Sequence, residues 1–359
     1  MGLGAATTRR RARVSSGGST GIRMFGGPSD VAVDLGTSNT LVYVKGRGLV
    51  LNEPSVVALD RETRRVLAVG LEAKRMLGLT TGNVAAVRPL KAGVIADVDV
   101  AEEMLRQYLR RSVVRRFLAL KPRMVIGVPT GMTELERRAV RAAAAAAGAR
   151  EAYMVAEPMA AAIGVGLPVD TPTGNMVVDI GGGTTDIAVI ALNGIVANAS
   201  IRMAGDEIDQ AILIFIRKNY NLLIGEPTAE SIKLQIGSVL PTGEEREMEV
   251  KGRDLVSGIP KTVRVSEREI RDAVREPVEQ IVEAVLHALE ITPPELAADI
   301  VDRGIMLTGG GGTLRGLDLL LAQRTQLPVH VDQDPLTCVV RGAARIIEDI
   351  DHYRSVLEP

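Results

Sequence analysis

Residues 31–44 read VAVDLGTSNTLVYV and residues 176–190 read MVVDIGGGTTDIAVI. With Asp34 set over Asp179, both stretches run through the same types: an apolar run, an Asp, an apolar residue, a Gly, small or hydroxyl residues, and a second apolar run. Apolar runs around a short Gly-containing turn predict a β-hairpin. Gly lets the backbone approach an anion with its N–H groups turned inward, and Ser and Thr add hydroxyl donors. An Asp at the strand end suits a hydrated Mg²⁺, which keeps most of its waters and takes one or two carboxylates. One such hairpin is most often only a turn. Two copies in halves of similar size predict two related lobes, each clasping one side of a nucleotide in the cleft between them. No GxxxxGK[ST] is present, so the site is not a P-loop.

Three further segments extend this reading. Leu307-Thr308-Gly309-Gly310-Gly311-Gly312 follows the apolar run from Gly304 and precedes a helix expected from Leu314. Strand, Gly-rich turn and helix N-terminus is another arrangement that admits a nucleotide. Gly205-Asp206-Glu207 opens a helical pattern, where the acids also complement the helix dipole. Glu230 and Lys233, in AESIKLQIG, fall three residues apart on one helix face, where a surface ion pair is the plain expectation. Thr133–Glu136 and Ser266–Glu269 read as capping boxes, Gly148 as a helix stop, and Pro277 as a break in the second helix.

Composition removes several alternatives. The chain has 359 residues, about two domains by length. A single cysteine, Cys338, excludes an internal disulfide framework, and His287, His330 and His352 form no HExxH site. Three Phe, five Tyr and no Trp are too few for a reader of stacked RNA bases, and no specific nucleic acid is predicted. No apolar run is long enough to span a membrane. The formal charge of −1 hides an asymmetry, because residues 1–29 carry five arginines and no acid. That stretch reads as a basic, disordered arm, with a nucleic-acid or membrane-surface arm as the alternative and Met24 as an alternative start.

The motifs VDLGTSNT, GVIAD (93–97), AEPMAAAIG (156–164), VVDIGGGTTD, AGDEID and LTGGGGTLRGL together resemble the actin, heat-shock chaperone and sugar kinase ATPase superfamily. LVYVKGRGLVLNEPSVVAL (41–59), RPLKAGVIADVDVAEEMLR (88–106) and GIMLTGGGGTLRGLDLLL (304–321) are similar to the bacterial actin MreB and MreB-like family specifically. The resemblance runs from about Met24 to the C-terminus. It implies an α/β, actin-like two-lobe fold of duplicated ribonuclease H-like domains. Lobe I would comprise 30–172 plus 337–359, lobe II 173–336, each with a smaller insertion walling the nucleotide cleft.

The resemblance also assigns roles. Gly36, Thr37, Ser38, Asn39 and Thr40 would form the first clasp, and Gly181, Gly182, Gly183 and Thr184 the second. Asp34 and Asp179 would organise Mg²⁺ through water. Glu157, helped by Thr184, would orient the water that attacks ATP. Glu230, Lys233, Gly309, Gly310, Gly311 and Gly312 would face the adenosine side, with Gly205, Asp206 and Glu207 near the cleft. Three positions depart from the family's usual residues: Ser38 for Ala, Ala156 for an acid, and Asp186 for Glu.

The implied function is a filament-forming, weakly hydrolysing ATPase. It would be cytoplasmic, on the inner face of the cell membrane, and would guide cell-wall synthesis and cell shape. Its partners would be copies of itself, an MreB paralogue, the inner-membrane lipid surface and the wall-elongation machinery. RRSVVRRFLALKPR (110–123) places Phe117, Leu118 and Leu120 beside arginines, and the resemblance makes these the membrane contact. Each inserted side chain contributes at most ~1.5–3 kcal/mol, so stable attachment needs several subunits in one filament. A chaperone-type ATPase is a competing reading, disfavoured because no peptide-binding module is expected before Pro359. A small-molecule kinase lacks a marked acceptor site, and a non-hydrolysing scaffold is disfavoured by intact Asp34, Asp179, Glu157 and Thr184.

Overall fold

The computed structural model describes residues 1–2, 30–77, 82–112, 121–241, 243 and 245–358. All of the basic arm except its first two residues lies outside the described residues, as do Phe117, Leu118 and Leu120.

The first glycine stretch is the hairpin β1 (Val31–Leu35) and β2 (Asn39–Val44), continued by β3 (Gly48–Pro54). Then come β4 (Val57–Asp60), β5 (Val66–Val69), α1 (Leu71–Lys74), β6 (Val84–Val87) and the small hairpin β7 (Leu90–Lys91) and β8 (Val94–Ile95). Helix α2 (Val98–Ser112) leads to β9 (Arg123–Val128), α3 (Glu134–Ala147), β10 (Glu151–Ala156) and α4 (Glu157–Val165). The second glycine stretch is β11 (Asn175–Ile180) and β12 (Thr185–Ala191), continued by β13 (Gly194–Ile201). After it run α5 (Gly205–Tyr220), β14 (Leu222–Leu223), α6 (Glu226–Ile236), β15 (Glu247–Asp254) and β16 (Pro260–Ser266). The chain closes with α7 (Glu267–Ala273), α8 (Arg275–Glu290), α9 (Pro294–Arg303), β17 (Ile305–Thr308), α10 (Leu317–Thr325), β18 (Val329–Val331) and α11 (Cys338–Glu348).

The sequence repeat is a repeat of topology. One five-stranded sheet has the order β10-β9-β1-β2-β3 and the other β18-β17-β11-β12-β13. In each, the Asp-bearing strand pairs antiparallel with its hairpin partner and parallel with a strand from further along the chain. Each half also carries a three-stranded sheet, β5-β4-β6 or β14-β15-β16.

Alternation along β1 and β11 joins the two sheets. Val31, Val33 and Leu35 face one core and Ala32 another; Met176, Val178 and Ile180 face a third, and Val177 meets Ala32's core. That shared core is filled by α4 and α11, with Cys338 fully buried in it. The period of two therefore sends opposite faces of both central strands to packed helices. Helices α4 and α11 cross at glycines: a Cβ on Gly342 would strike the Ala160 carbonyl, and one on Gly164 the Cys338 carbonyl.

Local signals act as their chemistry requires. Thr133 and Glu136 close a capping box, and Gly148 ends α3 at φ 111°. Ser266 and Glu269 close the second box. Pro277 has no N–H to give to Ala273, and the helix divides at Val274. The helix expected from Leu314 begins at Leu317 instead, because a 3₁₀ turn, Gly310–Thr313, and the left-handed Gly316 intervene.

Candidate functional site

The two glycine hairpins face each other. A Cβ on Gly182 would run into Ser38 Oγ, and one on Gly183 would come within 2.6 Å of Thr37 Oγ1. Neither position of the second turn has room for a side chain, which is the local reason for glycine there. Gly93, in the loop between β7 and β8, donates its N–H to Thr37 Oγ1 at 3.1 Å and lies against Thr184. Behind the first turn, Ser55 Oγ donates to the Gly36 carbonyl at 2.6 Å and shares a hydrogen bond with Thr40.

Between the hairpins lies a cavity of about 400 Å³. Asp34, Gly36, Thr37, Ser38 and Asn39 line it from one side, and Asp179, Gly181, Gly182, Gly183 and Thr184 from the other. Glu157, Gly205, Glu230, Lys233, Gly309, Gly310 and Gly311 complete its walls. Gly309 sits at φ 78° with its α-carbon against the Ile180 backbone, so a larger residue is excluded by both torsion and space. Thr40, Asp206, Glu207 and Gly312 are not among the residues that line the cavity. Arg315, Gly237 and Leu336 line it without having been singled out in the sequence. Arg315 and Gly237 belong to the motifs LTGGGGTLRGL and AESIKLQIG, but their side-chain types carry no phosphate signature.

The expected Glu230–Lys233 pair does not form. Lys74 of α1 donates to both carboxylate oxygens of Glu230, at 2.7 and 3.0 Å. Lys233 donates to Asp209 and to the Gly205 carbonyl, each at 2.9 Å. Arg88 reaches Asp206 at 3.1 Å and Glu226 at 3.5 Å. Helix α6 thus turns Glu230 and Lys233 toward different partners, one of them across the cleft.

The floor of the cavity is acidic. Burial, and then Asp179, raise the Asp34 pKa to about 7. Burial raises Asp179 to about 6, against a 2.7 Å hydrogen bond from Thr308. Glu157, at the first turn of α4, is pushed well above the usual carboxylate range by burial and then by Asp186, Asp34 and Asp179. Burial also raises Asp186, and Thr130 opposes it. No basic side chain is among the groups that shift these four. Buried carboxylates that repel one another favour an added cation. Among the described residues no three acidic, His or Cys side chains converge tightly enough to hold a metal alone. The donor set therefore fits a hydrated divalent ion that keeps most of its waters better than a protein-only cage.

The chain matches the MreB/Mbl protein family over residues 28–355. It is 54% identical over 329 residues to the cell shape-determining protein MreB of Escherichia coli, covering 90% of this chain and 95% of that one. Identity to the cell shape-determining protein Mbl of Bacillus subtilis is 51% over 322 residues, covering 90% and 96%. Among solved structures, MreB5 of Spiroplasma citri bound to AMPPNP superposes with a TM-score of 0.86 at 39% identity, covering 90% of this chain and 97% of that chain. A MamK double helical filament superposes at 0.76 and 26% identity, covering 89% and 99%. The two-sheet architecture is therefore the actin-like two-lobe fold.

Proposed function

The chain belongs to the MreB/Mbl family, and from that premise we propose that it is an ATP-dependent, filament-forming bacterial actin that works under the cytoplasmic membrane and directs cell-wall synthesis and cell shape. The observation that carries this reading is the pair of glycine hairpins closing on one cavity whose floor is buried carboxylate. Its support from relatives is that a structural neighbour binds AMPPNP and another is a filament.

Lobe I is taken as 30–172 plus 337–359, and lobe II as 173–336. Turn amides of Gly36–Asn39 and Gly181–Gly183 bind the phosphates of ATP, with the Thr37 and Ser38 hydroxyls beside them. Asp34 and Asp179 hold hydrated Mg²⁺, which when bound offsets phosphate charge. Glu157 and Thr184 orient the attacking water. Such transfer is mostly positioning and electrostatics, and slow turnover suits a polymer timer better than a metabolic enzyme. Lys233, Glu230 and Gly309–Gly311 take the adenosine side. Phe117, Leu118 and Leu120 insert into the inner leaflet, and the wall-elongation machinery and a paralogue join the polymer there. Among the described residues no helix is long and apolar enough to cross a membrane.

Electron microscopy of the purified chain with ATP, with and without anionic liposomes, tests the reading. Filaments that gather on lipid are expected, and replacing Phe117, Leu118 and Leu120 by Ser leaves filaments that no longer do so. A chain that stays monomeric at high concentration with ATP overturns the polymer reading. Phosphate release unchanged in Glu157→Ala removes Glu157 from the hydrolytic machinery and favours a non-hydrolysing scaffold.

A further inference from the structure

The two hairpins are not equivalent, and the difference is a carboxylate. In the first, the residue directly across the ladder from Asp34 is Leu41. In the second, the residue directly across from Asp179 is Asp186. Directly opposed residues of an antiparallel pair put their side chains on one face. The second hairpin thus presents two carboxylates where the first presents one and an apolar group.

Asp186 is fully buried. The Thr130 N–H and hydroxyl both donate to its Oδ1, at 2.8 and 2.7 Å. Thr130 follows β9 in the opposite half of the molecule. Oδ2 is buried and without a hydrogen-bond partner. The Ser200 and Thr184 hydroxyls stand near enough to favour the charged carboxylate, without closing a well-aligned bond to Oδ2. Asp186 is also the neighbouring charge that acts most on Glu157. Leaving a buried acceptor open costs about 1–3 kcal/mol, more for a charged group, and the Thr130 contact, which uses Oδ1, gives no reason to leave Oδ2 open.

We propose that Asp186 is a positioning residue for hydrolysis: Thr130 anchors it from the other half, and its free oxygen fixes the Thr184 hydroxyl and the water that Glu157 orients. The role rests on the hydrolytic reading above. It adds that attack geometry depends on the Pro129–Gly131 turn staying docked on β12, so that relative movement of the halves reaches the reacting water without passing through the phosphate clasps.

The test is steady-state phosphate release together with fluorescent-ATP affinity and thermal melting, on the full chain. Asp186→Asn keeps shape and removes charge. It is expected to lower kcat at least tenfold while changing ATP affinity less than threefold and leaving Tm near that of the parent. Thr130→Val, which loses one of the two donors, should lower kcat less, and Thr130→Ser should restore it. A kcat unchanged in Asp186→Asn overturns the proposal. So does a kcat that falls only in step with affinity and Tm, which would make Asp186 a strut of the hairpin. If the parent chain binds ATP and releases no phosphate, the hydrolytic reading itself fails and this role falls with it. A hydrolysing parent matched by Asp186→Asn removes this role alone.

Discussion

Asp34 and Asp179 face each other across the cavity floor with their pKa values raised from 3.8 to about 7 and about 6. Both are raised in the folded state, so the stability they contribute is complete below the unfolded value near 4 and is lost as pH rises through 6 to 7. The nucleotide-free protein should therefore melt lower at pH 8 than at pH 5, by roughly several °C. Mg²⁺ with ATP should abolish most of that slope, and Asp34→Asn with Asp179→Asn should flatten it without ligand; a slope untouched by either places the titration elsewhere. At this scale the sequence disclosed a good deal. The place of Asp34 and Asp179 in the cavity wall was legible because an acid at a strand end beside glycines has a chemical meaning, whereas Glu157, an acid before Pro158 at a helix start, stood out only through the family resemblance. Lys74 and Arg88 were not legible, since a lone surface-type cation signals nothing until folding sets it opposite Glu230 or Asp206.

Helices α4 and α11 cross so closely that backbone meets backbone at Gly164 and Gly342. Gly342→Ala should accordingly be strongly destabilising although Ala is the better helix former by about 1 kcal/mol. Overpacking a tight core typically costs about 1–3 kcal/mol, and here the struck atom is a carbonyl oxygen that cannot rotate away. Thermal melting checks this, with Gly148→Ala as the comparison: its site has open space and a strained φ of 111°, so its loss should be the smaller. Elements with end signals were readable in advance, as Thr133, Ser266 and Pro277 illustrate. The start of α10 was not, because Gly310–Gly312 continue a turn whose length no side chain encodes. The Gly164–Gly342 crossing was equally hidden, since small residues in a helix do not name their neighbour.

The whole molecule is two copies of one sheet plan held around a shared helical layer, and that duplication could be read from two fourteen- or fifteen-residue strings because each carries its own strand, turn and strand. What the strings could not contain is the set of contacts between the halves. Lys74–Glu230, Arg88–Asp206 and Arg88–Glu226 span the mouth of the cleft. Partly exposed pairs of this kind contribute about 1 kcal/mol or less each and weaken with salt. Lys74→Gln with Arg88→Gln should speed ATP release by roughly two- to tenfold and make its rate less dependent on ionic strength; an unchanged rate and salt slope would show the pairs to be idle during exchange. The buried seam has a different consequence for anyone wishing to watch those halves move. Cys338 is the chain's only thiol, it is fully buried between the sheets, and burial pushes its pKa to about 12. Thiol-reactive dyes need the thiolate and access, so the native protein already behaves as a cysteine-free background. A label introduced at Val256→Cys, on a residue 83% exposed at the β15–β16 turn, should be the only one the folded chain takes up, and mass spectrometry after labelling will show whether Cys338 stays silent.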